Sequence, residues 1–169
     1  MAVKAKKHFS VFCRQDFVGI DYGLVDCATN VPKPDYYVGW LWSRLMGRSV
    51  LLADAAAAPP TLRMYAHCAP DGGVGGVTVL LISLEPKDSL AVELPFPNAD
   101  AYVLTPPDGN LGSSTANLNG NSLKFDTTAW RLPALTPAPV AGSSATVPPM
   151  SVSFYSFPKA GYAPCKGSP

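Results

Sequence analysis

The sequence predicts a mainly β protein: an antiparallel β-sandwich preceded by a single β/α unit. The sandwich is favoured by about seven or eight short segments of alternating polarity, separated by turns at regular spacing. It is also favoured by 18 prolines and 14 glycines among 169 residues, enough to supply many turns. The β/α unit is indicated by one segment near the start whose apolar residues recur at helical spacing instead.

The predicted β/α unit covers residues 1–47. Residues 9–14, FSVFCR, carry apolar side chains on both sides of an alternation, which predicts a short strand buried on both faces. Pro34 opens a helix whose apolar stripe includes Leu41, Trp42 and Leu45, and Gly47 ends it. A single β/α unit cannot bury its strand and stripe, so we expect residues 1–47 to be poorly packed and prone to association unless a partner covers them.

The predicted sandwich covers residues 48–169. Asn119-Gly120 between two alternating segments is the strongest hairpin signal in the chain. The segment 62–69 alternates like a strand with one buried face, and the Pro-, Ala- and Ser-rich segment 132–149 is predicted to be a surface loop. The other predicted features are strands at 49–53, 77–84, 89–94, 101–104 and 150–157, a connector at 54–60 and a turn at 70–76.

Charge and composition argue against several functions. The net charge is +1, and the cationic cluster Lys4, Lys6 and Lys7 is short and lacks interleaved aromatics, so no nucleic-acid partner is expected. The longest apolar run, residues 77–84, is too short to span a bilayer, and residues 1–8 lack the apolar segment of a signal peptide. With two histidines and no CxxC pair, neither a metal site nor a cofactor is predicted. The cysteines at 13, 27, 68 and 165 could pair in three ways if all were bridged.

Several strings of the sequence together resemble a known family. In chain order, they are similar to the carboxy-terminal third of plant heparanase-like proteins, which are endo-β-glucuronidases of glycoside hydrolase family 79. The strings are CRQ (13–15), GIDYGLVD (19–26), VPKPDYY (31–37), LWSRLMG (41–47), LRMYAHC (62–68), LNGNSLK (118–124) and SFYSFPKAGYAPC (153–165).

This resemblance implies a retaining glycosidase built from a (β/α)₈ barrel followed by a β-sandwich. Residues 1–47 would be the last strand and helix of the barrel, and 48–169 the sandwich. Retaining hydrolysis uses two carboxylates about 5–5.5 Å apart. In the family both come from barrel strands upstream of this chain, so the chain has no expected catalytic residue and is predicted to be inactive alone, as a fragment. The partners implied are the upstream barrel and, through it, a glucuronate-containing glycan. The parent protein would be secreted, lysosomal or vacuolar, or peripherally attached to a membrane.

The resemblance also assigns individual residues. Tyr22 corresponds to a tyrosine that contacts the sugar and its carboxylate. The family commonly has Gly-Asn before that tyrosine, whereas this chain has Ile20 and Asp21, a bulky side chain and a negative charge that would weaken binding of glucuronate. Cys68 and Cys165 correspond to the family's disulfide, which leaves Cys13 and Cys27 free.

A second hypothesis assigns the chain to a different functional class. The chain could be a stand-alone, non-catalytic β-sandwich that binds a glycan or a protein. Of its tryptophans, Trp42 lies on the helix stripe and is most simply core, whereas Trp130, near a loop, remains open as a platform on which a sugar could stack.

Overall fold

In a computed structural model of the chain, the residues described are 1–53, 58–70 and 74–167. Two α-helices occur among them, α1 (Ala2–Lys6) and α2 (Pro34–Leu45), and short 3₁₀ turns lie at Pro107–Gly109 and Ala163–Cys165. The strands are β1 (Val50–Leu51), β2 (Leu62–Cys68), β3 (Val77–Ser83), β4 (Leu90–Glu93), β5 (Ala99–Thr105), β6 (Asn117–Leu118), β7 (Asn121–Ser122), β8 (Ala138–Val140), β9 (Ser144–Val147) and β10 (Val152–Phe157). The fold is therefore mainly β.

Two antiparallel sheets form the body of the molecule. The larger has eight strands in the order β1-β2-β3-β10-β5-β6-β7, with β8 also paired to β5, and the smaller consists of β4 and β9. The strands β3 and β10 lie at the centre, in register from Val77 opposite Phe157 to Ile82 opposite Val152. Because β10 comes from the end of the chain, the central pair of the large sheet joins distant parts of the sequence.

One face of the large sheet packs against the small sheet. Leu81 and Tyr155 on the large sheet share an apolar core with Val147 of β9 and Leu94 just after β4. Leu81 and Val147 are both 0% exposed. This shared core makes the arrangement two-layered, as in a β-sandwich.

The opposite face of the large sheet is covered by α2. Tyr37 and Leu41 of the helix are each 1% exposed and pack with Leu80, Leu104 and Phe154 of the sheet. The expectation that the helix would be poorly packed is therefore wrong, because the sheet itself supplies a surface for its stripe. The prediction that only one face of residues 62–69 is buried is also wrong. His67 belongs to the face predicted to be exposed, but it lies under the helix and is only 3% exposed.

The strand predicted at residues 9–14 is not formed. This segment has no strand assignment and is exposed throughout, with Phe9 58% and Val11 70% exposed. A strand needs a neighbour that accepts its backbone hydrogen bonds, and no strand pairing among the described residues includes this segment. Of the predicted β/α unit, the structure therefore shows the helix alone.

The loop predicted at residues 132–149 is also wrong, since it contains β8 and β9. Strand β8 includes Pro139, which lies opposite Asp100 of β5, and β8 pairs with no strand except β5 among the described residues. Proline is tolerated there because its missing N–H can face away from the ladder at an edge. In β9, Ala145 and Val147 alternate inward opposite β4, a pattern that the Pro- and Ser-rich composition concealed.

Other expectations are confirmed. The helix begins at Pro34, and strands occupy most of the predicted segments. Asn119 (φ +49°) and Gly120 (φ +80°) form the two-residue turn between β6 and β7, with Leu118 opposite Asn121. Positive φ at both central residues is the geometry that an Asn-Gly hairpin favours. Residues 54–57 of the predicted connector and 71–73 of the predicted turn lie outside the described residues.

Candidate functional site

The loop before α2 carries the residues that the sequence singled out for sugar binding. Backbone hydrogen bonds fold it back on itself: the Leu24 N–H donates to the Asp16 carbonyl (3.3 Å) and the Val25 N–H to the Phe17 carbonyl (2.9 Å). Further along, the Lys33 N–H donates to the Leu24 carbonyl at 2.9 Å. The loop is thus fixed by its own backbone and delivered directly to the start of the helix.

A side-chain turn closes the far end of this loop. Asp26 Oδ1 accepts hydrogen bonds from the backbone N–H groups of Ala28 (3.1 Å) and Thr29 (2.9 Å), and from the Thr29 hydroxyl (2.8 Å). These bonds favour the charged carboxylate, so they lower the pKa of Asp26, led by the backbone N–H of Thr29. Asp26 is therefore a turn-forming residue, a role in which aspartate is common.

Tyr22 lies at a tight turn within the loop. The Gly23 N–H donates to the Ile20 carbonyl at 2.8 Å. A Cβ at Gly23 would lie 3.2 Å from that oxygen and 3.3 Å from the carbonyl oxygen of Val25, which favours glycine at this position. The Tyr22 carbonyl accepts a hydrogen bond from Arg14 Nη2 at 2.6 Å. The side chain of Tyr22 is 51% exposed, so the backbone of this residue is fixed while its ring stays accessible.

Two cations and two carboxylates surround this turn. Arg14 Nη2 also contacts Asp35 Oδ2 at 2.7 Å, in an ion pair whose side chains are 40% and 45% exposed. Lys33 Nζ donates to the carbonyl oxygen of Asp21 at 2.5 Å. The formal charges cancel, but the ammonium group of Lys33 has three N–H donors and the guanidinium group of Arg14 has five, so both retain donors for a ligand.

The turn forms one wall of an open depression of about 380 Å³. Its opposite wall is the segment 111–114, which lies between β5 and β6. Asp21 and Tyr22 line it together with Arg14, Lys33 and Asp35, whereas Ile20, 52% exposed, is not among the lining residues. Sequence reasoning assigned no role to Arg14 or Lys33. The available signal was that both fall within strings shared with the family, CRQ and VPKPDYY.

The wall formed by segment 111–114 is also held by local hydrogen bonds. Asn110 Oδ1 accepts from the Gly112 N–H at 3.0 Å, and the Ser113 N–H donates to the Asn110 carbonyl at 3.1 Å. The Ser113 hydroxyl lies 3.1 Å from that of Thr115. Both walls are therefore shaped by contacts within the chain.

Two carboxylates, those of Asp21 and Asp35, line this depression, and the Asp35 carboxylate is engaged in the ion pair with Arg14. The chain has only two glutamates, Glu85 and Glu93; the first follows β3 and the second is exposed on β4. Neither lines the depression at Tyr22.

Among the described residues there is no cluster of three or more His, Cys, Asp or Glu side chains able to hold a metal ion. Over the same ranges, no helix is both long and apolar enough to cross a membrane.

The disulfide lies on the face of the large sheet that packs against the small sheet, opposite α2. The sulfur atoms of Cys68 and Cys165 are 2.01 Å apart and form a disulfide between β2 and the 3₁₀ turn near the chain's end. This is the pair that the family resemblance implied. Cys13 and Cys27 are free thiols and are exposed.

Trp130 lies apart from the Tyr22 depression, at the tip of a short loop. It is 65% exposed, has φ +51° and meets the edge of Phe125 at 6.0 Å between ring centroids. Asp126 and Arg131 exchange two backbone hydrogen bonds at the base of the loop. The ring is therefore accessible and its backbone constrained, but it does not line the site at Tyr22.

Comparison with solved structures finds a chain of similar fold. An arabinose-bound α-L-arabinofuranosidase of family GH51 is similar over 81% of this chain and 21% of its own, with 17% identity and a TM-score of 0.50. At that identity the likeness shows the fold alone. No protein-family model matches the sequence.

The sequence relatives are more specific. Heparanase-like protein 1 of Arabidopsis thaliana is 36% identical over 98% of this chain and 36% of its own length. Baicalin-beta-D-glucuronidase of Scutellaria baicalensis is 37% identical over 75% of this chain and 24% of its own. The heparanase of Mus musculus is 34% identical over 98% and 32%. The chain belongs to the heparanase-like family and corresponds to the carboxy-terminal part of these proteins. It spans about a third of the length of Arabidopsis heparanase-like protein 1.

Proposed function

We propose that this chain is the carboxy-terminal part of a heparanase-like retaining endo-β-glucuronidase that acts on glucuronate-containing glycans. The observation that carries the proposal is the 36% identity to Arabidopsis heparanase-like protein 1 over 98% of the chain. In the proposed enzyme, the acid/base and nucleophile carboxylates come from an upstream barrel, and residues 1–47 are the last unit of that barrel. The parent protein would be secreted or directed to a lysosome or vacuole, or be attached peripherally to a membrane.

The exposed apolar segment before the Tyr22 turn supports an upstream partner. Phe9, Val11 and Phe12 are 58%, 70% and 48% exposed, and Phe17 is 59% exposed. A run of large apolar side chains facing water is unfavourable, and such patches commonly mark an interaction surface. In the proposed enzyme, neighbouring barrel strands would cover this segment and provide its backbone hydrogen bonds.

Within that enzyme, we assign the Tyr22 depression to part of the sugar-binding site. Tyr22 presents an accessible ring beside the ammonium group of Lys33, and a ring and a cation suit a sugar acid. Asp21 faces the same depression and disfavours a carboxylate ligand, as the sequence suggested. The contribution of Lys33 therefore has to exceed the repulsion from Asp21 for glucuronate to bind here.

The experiment compares this chain with a longer protein. The 169-residue chain and a version joined to the upstream sequence of its transcript are each incubated with an aryl β-glucuronide and with glucuronate-bearing arabinogalactan. We expect hydrolysis by the longer protein only. Turnover by the short chain that disappears in a Glu85→Gln/Glu93→Gln variant would overturn the proposal, as would an upstream sequence that encodes no barrel.

A second candidate is a stand-alone, non-catalytic module that binds a glycan or a protein. It is favoured by the burial of Tyr37 and Leu41 against the large sheet, which shows that α2 and the sheets share a core within this chain. A single cooperative unfolding transition for the isolated chain, together with a transcript that truly starts at Met1, would favour this candidate.

A further inference from the structure

Another depression lies on the large sheet beside the second half of α2. It measures about 520 Å³. One wall comes from the last turns of α2, another is the segment 132–135, and Tyr102 of β5 also lines it. This depression shares no lining residue with the one at Tyr22, so the two are separate.

Arg44 brings a positive charge to this depression. Its guanidinium carbon lies 5.1 Å from the centre of the Trp40 ring, one helical turn earlier, and an aromatic face attracts a cation at this distance. Arg44 is exposed, and among the residues that the structure describes it makes no ion pair and no side-chain hydrogen bond. Trp40 therefore holds the guanidinium group in place, while its five N–H donors stay available to a ligand.

Tyr102 adds a hydroxyl donor to the same depression. The residue is half-buried, and its hydroxyl has no protein hydrogen-bond partner within the described part of the chain. Burial raises the pKa of Tyr102, the charge of Asp100 raises it further, and the charge of Arg44 lowers it. The phenol is therefore protonated at neutral pH and can donate a hydrogen bond. The charges of both Asp100 and Arg44 are also felt at this hydroxyl.

The rest of the wall is apolar. Leu45 of α2 and the two leucines of the opposite wall, Leu132 and Leu135, are half-buried and pack against the core under the helix. Such a surface favours a ligand that displaces water with an apolar group. The depression thus combines a positive charge and hydrogen-bond donors with an apolar surface.

We propose that this depression binds a small monocarboxylate whose carboxyl group is attached to an apolar ring. The carboxylate accepts hydrogen bonds from the Arg44 guanidinium group and the Tyr102 hydroxyl, and the ring lies against Leu132 and Leu135. The proposal does not depend on the sugar site at Tyr22, because none of these residues lines that depression.

Charge, shape and size select this ligand. The planar fork of a guanidinium group matches the two oxygens of a carboxylate. A doubly charged phosphate group is disfavoured, because the one cation of the site already has to offset the charge of Asp100. A carboxylate without a ring would leave the leucine surface in water. The volume of about 520 Å³ lies within the range of about 300–1,000 Å³ that small-molecule sites span.

The test measures binding to the 169-residue chain by NMR. Phenylacetamide has the ring of phenylacetate without its charge, and acetate has the charge without the ring. We expect phenylacetate to bind about tenfold more tightly than phenylacetamide, the scale of a hydrogen bond to a charged group. Acetate should bind at least about tenfold more weakly than phenylacetate. Phenylacetate should shift the indole N–H signal of Trp40 and the methyl signals of Leu132 and Leu135, all of which line the depression.

The variant Arg44→Gln removes the charge and, because Arg44 is exposed, should leave the fold intact. We expect its affinity for phenylacetate to fall about tenfold, to that for phenylacetamide, whose own affinity should change little. The matched control is Arg48→Gln, which removes the same charge from an exposed residue that does not line the depression. This control should bind phenylacetate as the parent chain does.

Each alternative outcome would overturn a stated part of the proposal. Equal affinity of the parent chain for phenylacetate and phenylacetamide would overturn the role of the carboxylate, and equal affinity for phenylacetate and acetate would overturn the role of the ring. Equal losses in Arg44→Gln and Arg48→Gln would show a general effect of charge and overturn the site. Failure of phenylacetate to bind would also overturn the site, and the proposed function would stand because it uses other residues.

Discussion

The imidazole of His67 bonds to the chain just after α2: its Nδ1 lies 2.6 Å from the carbonyl oxygen of Gly47. The same ring meets Trp42 of the helix edge to face, with 5.1 Å between centroids. The Gly47 N–H in turn donates to the Cys68 carbonyl at 2.8 Å. These contacts join the end of the helix to strand β2, so His67 is part of the seam between helix and sheet.

The first prediction concerns the pH dependence of stability. Burial lowers the pKa of His67, an effect partly opposed by its hydrogen bond to Gly47. Below the ordinary histidine pKa of about 6.5, the unfolded chain takes up a proton at this position that the folded chain resists. The free energy of unfolding should therefore fall as the pH drops from about 7.5 to about 5.5. Urea titrations at the two pH values measure the difference.

The variant His67→Gln should lose most of that pH dependence, although it should be less stable than the parent at pH 7.5 because it disturbs the seam. His8→Gln is the control, since His8 is exposed near the start of the chain, and it should retain the full pH dependence. If His67→Gln and the parent lose the same free energy between the two pH values, His67 is not the responsible group.

The second prediction concerns the disulfide. Cys68 and Cys165 are 97 residues apart, and closing a loop of about 100 residues stabilises a folded chain by up to about 4.7 kcal/mol in the chain-entropy model. The double variant Cys68→Ser/Cys165→Ser should lower the midpoint of thermal unfolding strongly. Cys13→Ser/Cys27→Ser should leave it unchanged because both thiols are free and exposed. Non-reducing peptide mapping that linked Cys68 to Cys13 or Cys27 would contradict the assignment.

The third prediction concerns the packing of α2. Leu41 lies on the side of α2 that faces the sheet and is 1% exposed. Truncation of a buried leucine to alanine costs about 2–5 kcal/mol. Leu41→Ala should lower the free energy of unfolding by that amount. Leu52→Ala should change it by less than about 0.5 kcal/mol, since Leu52 is 88% exposed. Hydrogen exchange offers a second measurement: amides of α2 should be protected and those of residues 9–14 should not. Fast exchange throughout α2 would argue against its docking on the sheet.

The fourth prediction concerns Asn119 in the β6–β7 hairpin. Its side chain accepts a hydrogen bond from the Val103 N–H (2.9 Å) and donates to the carbonyls of Ala101 (3.0 Å) and Thr136 (3.1 Å). Its φ of +49° also suits Asn better than Ala. Asn119→Ala should therefore lower the free energy of unfolding by about 2–3 kcal/mol. The neighbouring variant Asn121→Ala removes one bond of 3.3 Å and should cost far less. Similar losses in the two variants would show that the Asn119 contacts are not the cause.

Some elements could be predicted because their signal is local. The helix from Pro34 and the hairpin at Asn119-Gly120 depend on backbone preferences of a few adjacent residues, and both appear as expected. Strand β10 was recognised from its alternation, which the structure reproduces with Phe154 on one face and Tyr155 on the other. The family was recognised because short strings recur in order along the chain.

The sequence by itself thus determined the mainly β class, the helix and its stripe, and the family. Tertiary structure decided what covers each face. The sequence alone predicts that the stripe of α2 faces a barrel outside this chain, but Leu80 and Phe154 of the sheet bury Tyr37 and Leu41. The alternation in residues 9–14 could not decide strand formation, because a strand exists only where another strand accepts its hydrogen bonds. Arg14 and Asp35 are 21 residues apart, and a contact of that kind depends on the folded path of the loop, which no local pattern specifies.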